Sequence, residues 1–281
     1  MFSILIPTFN NLNYLKTCLE SISKNSYFKH DIIVHVNEGT DGTIEYIKKN
    51  NIKYTHSKKN IGLCSSINIA SKLSSTNYIL YSHDDMYFCP EWDQILINEI
   101  KKINHENFYI CGTMIQPNGA HISLDCGDTI ENFNEKKLLQ NYKKFNYFDH
   151  QGSHFAPHVV TKKIWNYVGG FSEEFNPGIA SDPDFNMKLW KKGIRIFKGL
   201  NDFKVYHFGS KTTRKNFEIK KNKGDITFIK KWGISVKFFK KYYLKTNTQY
   251  KGPLTEPKKN LDYLINYIIN KFHYQFIKIL K

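Results

Sequence analysis

The amino-acid sequence predicts an α/β fold in which helices flank a mostly parallel sheet, followed by a helical C-terminal appendage. Short apolar runs alternate with segments of helical spacing through the first hundred residues, a pattern typical of consecutive βαβ units. The chain has 281 residues, of which 41% are hydrophobic and 15% aromatic, so it can bury a sizeable core. We therefore expect one large α/β domain with an appendage.

Four apolar runs are the predicted strands of the N-terminal half, and the first is expected to end at Pro7. These strands are predicted at 2–6, 31–36, 52–55 and 78–82. Apolar residues recur with helical spacing between and after them. The corresponding helices are predicted at 12–24, 43–50 and 63–73 and from Trp92 to Ile103. The middle of the chain, about 105–175, is expected to be irregular, before a helix at 182–192 and a strand that starts at 196.

The charge and the cysteines limit the classes of partner and compartment. The formal net charge is +16, but 39 of the 41 basic residues are lysines and only Arg195 and Arg214 are arginines. Nucleic-acid binders usually contact bases and phosphates with more arginine, so no nucleic-acid partner is expected. The five cysteines form no CxxC pair, and the N-terminus lacks the pattern of a signal peptide. These features predict a cytoplasmic protein, with peripheral contact to a membrane left open.

One segment at the end of the fourth strand carries side chains suited to metal chemistry. The sequence YILYSHDDMYFCP places His83, Asp84 and Asp85 at the tip of that strand. Adjacent carboxylates repel one another unless a cation intervenes, and Mn²⁺ or Mg²⁺ bridging a diphosphate is a common solution. Taken alone, an Asp pair at a strand end more often serves a turn or a helix cap.

Two later segments add acidic and basic candidates. Asp182 and Asp184 open a predicted helix, where an acid can act as a general base or simply complement the helix dipole. The sequence YHFGSKTTR offers His207 as a metal ligand, and Lys211 and Arg214 as a phosphate clamp. The simpler interpretation of this segment is a partly buried histidine beside a lysine-rich loop.

A third segment, WNYVGGF, contains the paired glycines Gly169 and Gly170. Paired glycines permit close approach of the backbone to a ligand, although an ordinary turn explains them as well.

In their order and spacing, these motifs resemble those of the family 2 glycosyltransferases, which have the Rossmann-type GT-A fold. The resemblance covers about residues 1–215. It depends on the segments Ile4–Asn10, Asn37–Thr43, Asn60–Gly62 with Asn68, His83–Asp85, Gly169–Phe171, Ser181-Asp182 and His207.

The resemblance implies an inverting glycosyltransferase that moves a sugar from a nucleoside-diphosphate sugar to a hydroxyl of a glycan, a lipid-linked sugar or a protein. Asp182 would be the base, with Asp184 as the second candidate. Mn²⁺ or Mg²⁺ would bind Asp85 and His207, together with His83, which stands where the family has a carboxylate. The implied nucleotide-sugar contacts are Pro7, Thr8, Phe9, Asn10, Asn37, Glu38, Asn60, Gly62, Asp84, Gly169, Gly170, Lys211 and Arg214.

Asn37 replaces the family's base-reading acid. Its amide can still hydrogen-bond a base edge, but it reverses part of the donor and acceptor pattern. This reversal blurs the choice of uridine over thymidine or guanosine. UDP is still the favoured nucleotide, and dTDP and GDP remain open.

The resemblance also implies a domain division. A GT-A catalytic domain is expected at 1–220, with a nucleotide-sugar-binding half at about 1–105 and an acceptor-binding half at about 106–220. A helical extension follows at 221–281. Its last segment places Leu261, Leu264, Ile268, Phe272, Phe276 and Ile279 on one helical face.

That face suits either an anionic membrane or packing on the catalytic domain or a second subunit, as in a homodimer. We favour packing, because apolar helical faces are usually core.

Two other functions remain open at the level of sequence. A non-catalytic carbohydrate- or polyanion-binding module would use the positive charge. A sugar nucleotidyltransferase would use a similar sheet, but such enzymes usually open with a glycine-rich, basic phosphate loop that residues 7–13 lack.

Overall fold

The computed structural model describes residues 1–119, 121–145, 147–152, 156–209 and 223–279. Within them, the strands of one sheet are β1 (Ser3–Phe9), β2 (Asp31–Asn37), β3 (Lys53–Ser57), β4 (Tyr78–Tyr81), β5 (Met86–Phe88), β6 (Phe108–Gln116), β7 (Ile122–Ser123), β8 (His150–Gln151), β9 (His158–Thr161) and β10 (Ile196–His207). The strand order is β3-β2-β1-β4-β9-β6-β10-β5, with β7 beside β6 and β8 beside β10.

Helices cover this sheet and form the C-terminal part of the described chain. They are α1 (Leu12–Asn25), α2 (Thr43–Lys49), α3 (Leu63–Ser71), α4 (Trp92–Ile103), α5 (Glu135–Asn141), α6 (Lys162–Val168), α7 (Ser181–Lys191), α8 (Gly224–Trp232), α9 (Val236–Phe238) and α10 (Leu261–Ile279). Helix α9 continues as a π-helix over Phe239–Leu244. The boundary expected at residue 220 falls outside the described residues.

The first four strands form the parallel half of the sheet. Strand β1 pairs in parallel with β2 and β4, and β2 pairs in parallel with β3. Their carboxyl ends therefore meet at one rim, which is where open α/β sheets bind ligands. The predicted strands and helices of this half are observed to within a few residues, with one correction at Pro7.

Strand β1 does not end at Pro7 but continues to Phe9. Leu5 accepts a hydrogen bond from the Ser82 amide on the β4 side of β1. Because alternate residues of a strand point the same way, the Pro7 nitrogen also faces that side, beyond the last residue of β4 at Tyr81. The missing N–H therefore costs no hydrogen bond of the sheet.

The middle of the chain is less irregular than expected. Strand β6 has nine residues, and all but the last are buried. It lies parallel to β10 and antiparallel to β9, which joins it to β4. A strand covered on both faces carries a continuous apolar run, so it lacks the alternation that identifies a strand in a sequence.

The last helix does not pack its apolar face on the catalytic domain, which was one of the two packing partners expected for it. Leu261, Phe272 and Ile279 of that face are 73%, 73% and 81% exposed. The helix instead contacts the protein through a different face, which carries the buried side chains of Tyr263 and Ile277. None of the helices in the described part of the chain is long and apolar enough to cross a bilayer.

Candidate active site

A cleft opens at the carboxyl ends of β1, β2 and β4, closed on the far side by the start of α7. Its volume is about 220 Å³. The predicted site residues that line it are Pro7, Thr8, Phe9, Asn37, Asn60, His83, Asp84, Asp85 and Asp182. The remaining wall consists of residues that were not predicted: Leu63, Pro177, Gly178 and Ile179.

Three side chains at one end of the cleft form a candidate metal site. Asp85 Oδ1 lies 3.9 Å from His83 Nδ1 and 3.2 Å from His207 Nε2. One ligand atom from each residue falls within 4.8 Å of the others, a separation that a single ion can span. The cluster holds two imidazoles and one carboxylate.

Strand pairing explains how His207 reaches residues so distant in sequence. Strand β5 runs antiparallel to β10 with Met86 opposite His207. Beyond this pair, the Phe208 amide donates a hydrogen bond of 3.1 Å to the Asp85 carbonyl, which holds Asp85 beside the end of β10. This register carries the end of β10 to the turn that follows β4.

A second layer of hydrogen bonds orients both imidazoles. His83 Nε2 lies 2.7 Å from the Tyr81 hydroxyl, and the Gln116 amide contacts His207 Nδ1. Histidine ligands in proteins commonly use one ring nitrogen for the metal and the other for such a partner. Burial lowers the pKa of His83 to about 4, which keeps its imidazole neutral at neutral pH and so able to ligate a metal.

Tyr81 and Gln116 were not predicted. Tyr81 lies two residues before His83. Because alternate side chains of an extended segment point the same way, this spacing could have indicated that the two side chains are neighbours. The position of Gln116 depends on the pairing of β6 with β10, which no local pattern indicates.

Asp84 points to a different partner from Asp85. Thr8 Oγ1 donates to Asp84 Oδ2 at 2.7 Å, which joins the end of β1 to the end of β4. Burial and the adjacent charge of Asp85 raise the pKa of Asp84. Bringing a cation to the site would relieve this repulsion.

Asp182 faces the cleft from the first turn of α7. Its Oδ1 is buried and has no hydrogen-bond partner among the described residues. Burial raises the pKa of Asp182 to about 7. The N-terminus of a helix acts in the opposite direction, so desolvation is the dominant effect here. A carboxylate with a pKa near neutrality is suited to accept a proton.

Asp184 does not line the cleft. Its side chain is fully buried and accepts hydrogen bonds from Ser172 Oγ at 2.6 Å and Trp232 Nε1 at 2.8 Å. Lys231 Nζ lies 3.0 Å from the same carboxylate. These contacts join α7 to α8, so Asp184 links the C-terminal helices to the α/β domain.

Asn37 lines the cleft but uses its amide elsewhere. Its Nδ2 donates to Ser66 Oγ at 2.9 Å and to the Thr8 carbonyl at 3.4 Å. Its Oδ1 accepts from the Ile61 amide at 3.0 Å and from Ser57 Oγ at 3.2 Å. With two donors and two acceptors engaged, no position is left for the edge of a base, which argues against the expected role of Asn37 in reading it.

Asn10, Glu38 and Gly62 support the rim rather than line the cleft. Asn10 Oδ1 accepts from the amides of Gly39 and Thr40, and its Nδ2 donates to Glu38. Gly62 precedes α3 with a φ of 82°, and a Cβ there would lie 2.5 Å from Asn176 Oδ1.

The paired glycines also lie away from the cleft. Gly169 ends α6 in the left-handed conformation, and Gly170 packs against the side chain of Asn68. The predicted phosphate clamp, Lys211 and Arg214, lies outside the described residues.

The sequence model of the family described as glycosyl transferase family 2 matches residues 3–164, more than half of the chain. The chain belongs to glycosyl transferase family 2. The resemblance drawn from the motifs is confirmed by this match. The matched range ends before α7 and β10, which supply Asp182 and His207.

Bacterial proteins are similar to this chain over most of its length. The chain is 26% identical to the chondroitin synthase of Pasteurella multocida (strain Pm70) over 229 residues, which is 79% of the chain and 22% of that synthase. It is 26% identical to the hyaluronan synthase of Pasteurella multocida over 84% of the chain and 22% of the synthase. The chain thus spans about a fifth of the length of these relatives.

Solved structures confirm the GT-A-like fold. Staphylococcus aureus TarS 1-349 in complex with UDP superposes with a TM-score of 0.56 at 18% identity, over 73% of this chain and 59% of that one. GalNAc-T7 with UDP, GalNAc and Mn²⁺ gives a TM-score of 0.57 at 16% identity, over 74% and 43%. At these identities the likeness concerns the fold alone.

Proposed function

We propose that this protein transfers a sugar, with inversion, from a nucleoside-diphosphate sugar to a hydroxyl of an acceptor, assisted by a divalent metal. One observation carries the proposal. The buried, unpartnered oxygen of Asp182 faces the same cleft as the His83, Asp85 and His207 cluster. The cleft therefore combines a candidate base with a candidate site for a diphosphate and its cation.

Mn²⁺ fits the cluster better than Mg²⁺. Mg²⁺ binds oxygen ligands in near-ideal octahedral geometry, whereas two of the three ligands here are imidazole nitrogens. An ion held by Asp85, His83 and His207 would neutralise the charge that develops on the departing diphosphate. The acidic cleft also disfavours a polyanion-binding module, because the described residues that line it include three carboxylates and no lysine or arginine.

The donor is proposed to be a UDP-sugar. Pro7, Thr8 and Phe9 at the end of β1 line the cleft, where the flat ring of a base would contact Phe9. Because the hydrogen-bonding positions of the Asn37 amide are all occupied within the protein, other groups must select the base. The nucleotides dTDP and GDP therefore remain alternatives. UDP is bound by TarS and GalNAc-T7, which share the fold.

The acceptor is proposed to be a glycan hydroxyl. The chondroitin and hyaluronan synthases among the relatives act in glycan synthesis, as their names state. A lipid-linked sugar or a protein would present the same hydroxyl chemistry to the cleft.

Asp182 is proposed as the base, in preference to Asp184. The acceptor hydroxyl loses its proton to Asp182 and attacks the anomeric carbon, and the bond from that carbon to the phosphate oxygen breaks with its electrons on the diphosphate. A single displacement of this kind inverts the anomeric centre. Asp184 is held by Lys231, Trp232 and Ser172 and does not line the cleft, so it does not meet an acceptor hydroxyl there.

The test is a panel of UDP-, dTDP- and GDP-sugars with Mn²⁺, in which release of nucleoside diphosphate is measured with and without candidate glycan acceptors. We expect Asp182→Asn to bind the donor normally and to reduce transfer by about a hundredfold or more, the usual contribution of a general base. Unchanged turnover in Asp182→Asn would contradict the assignment. If no nucleotide-sugar of the panel releases its nucleoside diphosphate, the proposed function is contradicted.

A further inference from the structure

The C-terminal helix α10 presents its most apolar face to solvent. With 3.6 residues per turn, its exposed apolar side chains fall on one arc of about 140°. This apolar arc consists of Leu261, Leu264, Ile265, Ile268, Ile269, Phe272, Phe276 and Ile279, which are between 43% and 81% exposed. Only Gln275 interrupts this arc, which is larger than the scattered apolar residues of ordinary protein surfaces.

The opposite face fixes the helix to the protein. Tyr263 is buried, stacks on Tyr267 and contacts the ring of Phe238. Asn270 Oδ1 accepts a hydrogen bond of 2.7 Å from the Ser235 amide. Rolling the apolar arc inward would break all of these contacts, so the arc stays available to an outside surface.

Basic residues border the arc along both edges. Lys271 and Lys278 follow one edge of the helix. His273 lies at the other edge, where it lines a groove of about 800 Å³. Four lysines, Lys237, Lys240, Lys241 and Lys245, and one acidic residue, Asp225, also line this groove. The acidic residue nearest this edge, Asp262, is already paired with Lys241 at 2.9 Å and with the Tyr242 hydroxyl.

The charge around the apolar arc favours a membrane over a second copy of the chain as its binding partner. Residues 223–279 carry twelve lysines and three acidic residues. A second copy placed symmetrically on the arc would bring two such basic surfaces together, and like charges in contact oppose association. Anionic lipid head groups would instead neutralise the lysines while the acyl chains receive the apolar side chains.

We propose that α10 docks this protein on an anionic phospholipid bilayer. The helix lies parallel to the surface, with its tyrosine face on the protein and the apolar arc in the head-group and acyl boundary. Lys271 and Lys278 on one side, and the lysine-lined groove on the other, contact lipid phosphates. Nineteen helical residues give a contact line about 28 Å long.

The test is co-sedimentation of the full chain with vesicles of phosphatidylcholine alone and with about 30% phosphatidylglycerol, the anionic component. We expect binding to the anionic vesicles that is at least about tenfold stronger than to the neutral ones and that weakens as NaCl rises from about 0.1 to about 0.5 M. The double variant Phe272→Ser/Phe276→Ser should lose at least about tenfold in binding, because it removes two large side chains from the bilayer.

Tyr167→Ser is the matched control. Tyr167 is 61% exposed on α6 and is not part of the apolar arc, so its removal should leave vesicle binding unchanged. Circular dichroism and donor turnover should be the same in all three proteins, since none of the changed residues lines the cleft. Equal binding of the double variant and the wild type would overturn the proposal. A second result would also overturn it: light scattering shows that the wild type is a dimer that does not bind vesicles, and that the double variant is a monomer.

Discussion

The substitution Asp182→Asn replaces a buried carboxylate by an amide of the same shape. The pKa of Asp182 is raised from 3.8 to about 7 by burial. Between these values the unfolded chain is ionised while the folded protein keeps the proton, so the stability of the wild type falls as the pH rises through this window. Above pH 7 both states are ionised, and the full cost of burying the charge is present.

The size of this cost follows from the shift. Three pKa units correspond to a ceiling of about 4 kcal/mol, and water in the open cleft reduces it, so we expect about 1–3 kcal/mol. Asparagine carries no charge at any of these pH values. Asp182→Asn should therefore leave the free energy of unfolding near that of the wild type at pH 4.5 and raise it by about 1–3 kcal/mol at pH 8.5.

The assay is urea unfolding of both proteins at the two pH values, without metal or nucleotide. Asp184→Asn is the matched control, because it changes the same atoms two residues away. It leaves the Lys231 charge without its buried partner and should destabilise the protein by about 2–4 kcal/mol at both pH values. An Asp182→Asn effect that is equal at both pH values would refute the assignment of a raised pKa.

Three further predictions concern activity and the rim. The turnover number of the wild type at saturating substrates should rise about tenfold per pH unit below pH 7 and level off above it, because the base must be ionised; a flat profile from pH 5 to 8 would contradict this. His207→Gln should weaken Mn²⁺-dependent UDP binding at least about tenfold in calorimetry while binding without metal stays unchanged. Gly62→Ala should lower the free energy of unfolding by about 2–4 kcal/mol, since its Cβ meets Asn176, whereas Gly193→Ala, with a similar φ and open space, should cost about 1 kcal/mol.

The parallel half of the sheet was predictable because its strands and helices are local and strongly patterned. Alternating apolar runs and helical faces locate β1 to β4, and parallel pairing then brings their carboxyl ends together. This is why Thr8, Asp84 and Asp85, which stand at the ends of predicted strands, lie on one rim of the sheet.

The other half depends on long-range pairing, which the sequence does not display. Asp85 meets His207 only because β5 pairs with β10, and Asp184 turns from the cleft because Trp232 of α8 reaches it. The saturation of Asn37 likewise arises from four separate segments. Local sequence patterns therefore identify the candidate side chains. Which of these side chains are available to a substrate depends on the residues that contact them in the fold.

Nucleotide binding in the cleft should require a metal held by Asp85. This requirement is measured by isothermal titration of UDP into the wild type and Asp85→Asn, each with Mn²⁺ and with EDTA. We expect binding to the wild type that depends on Mn²⁺ and is at least about tenfold weaker in Asp85→Asn. Equal UDP affinity in both proteins, unaffected by EDTA, would contradict it.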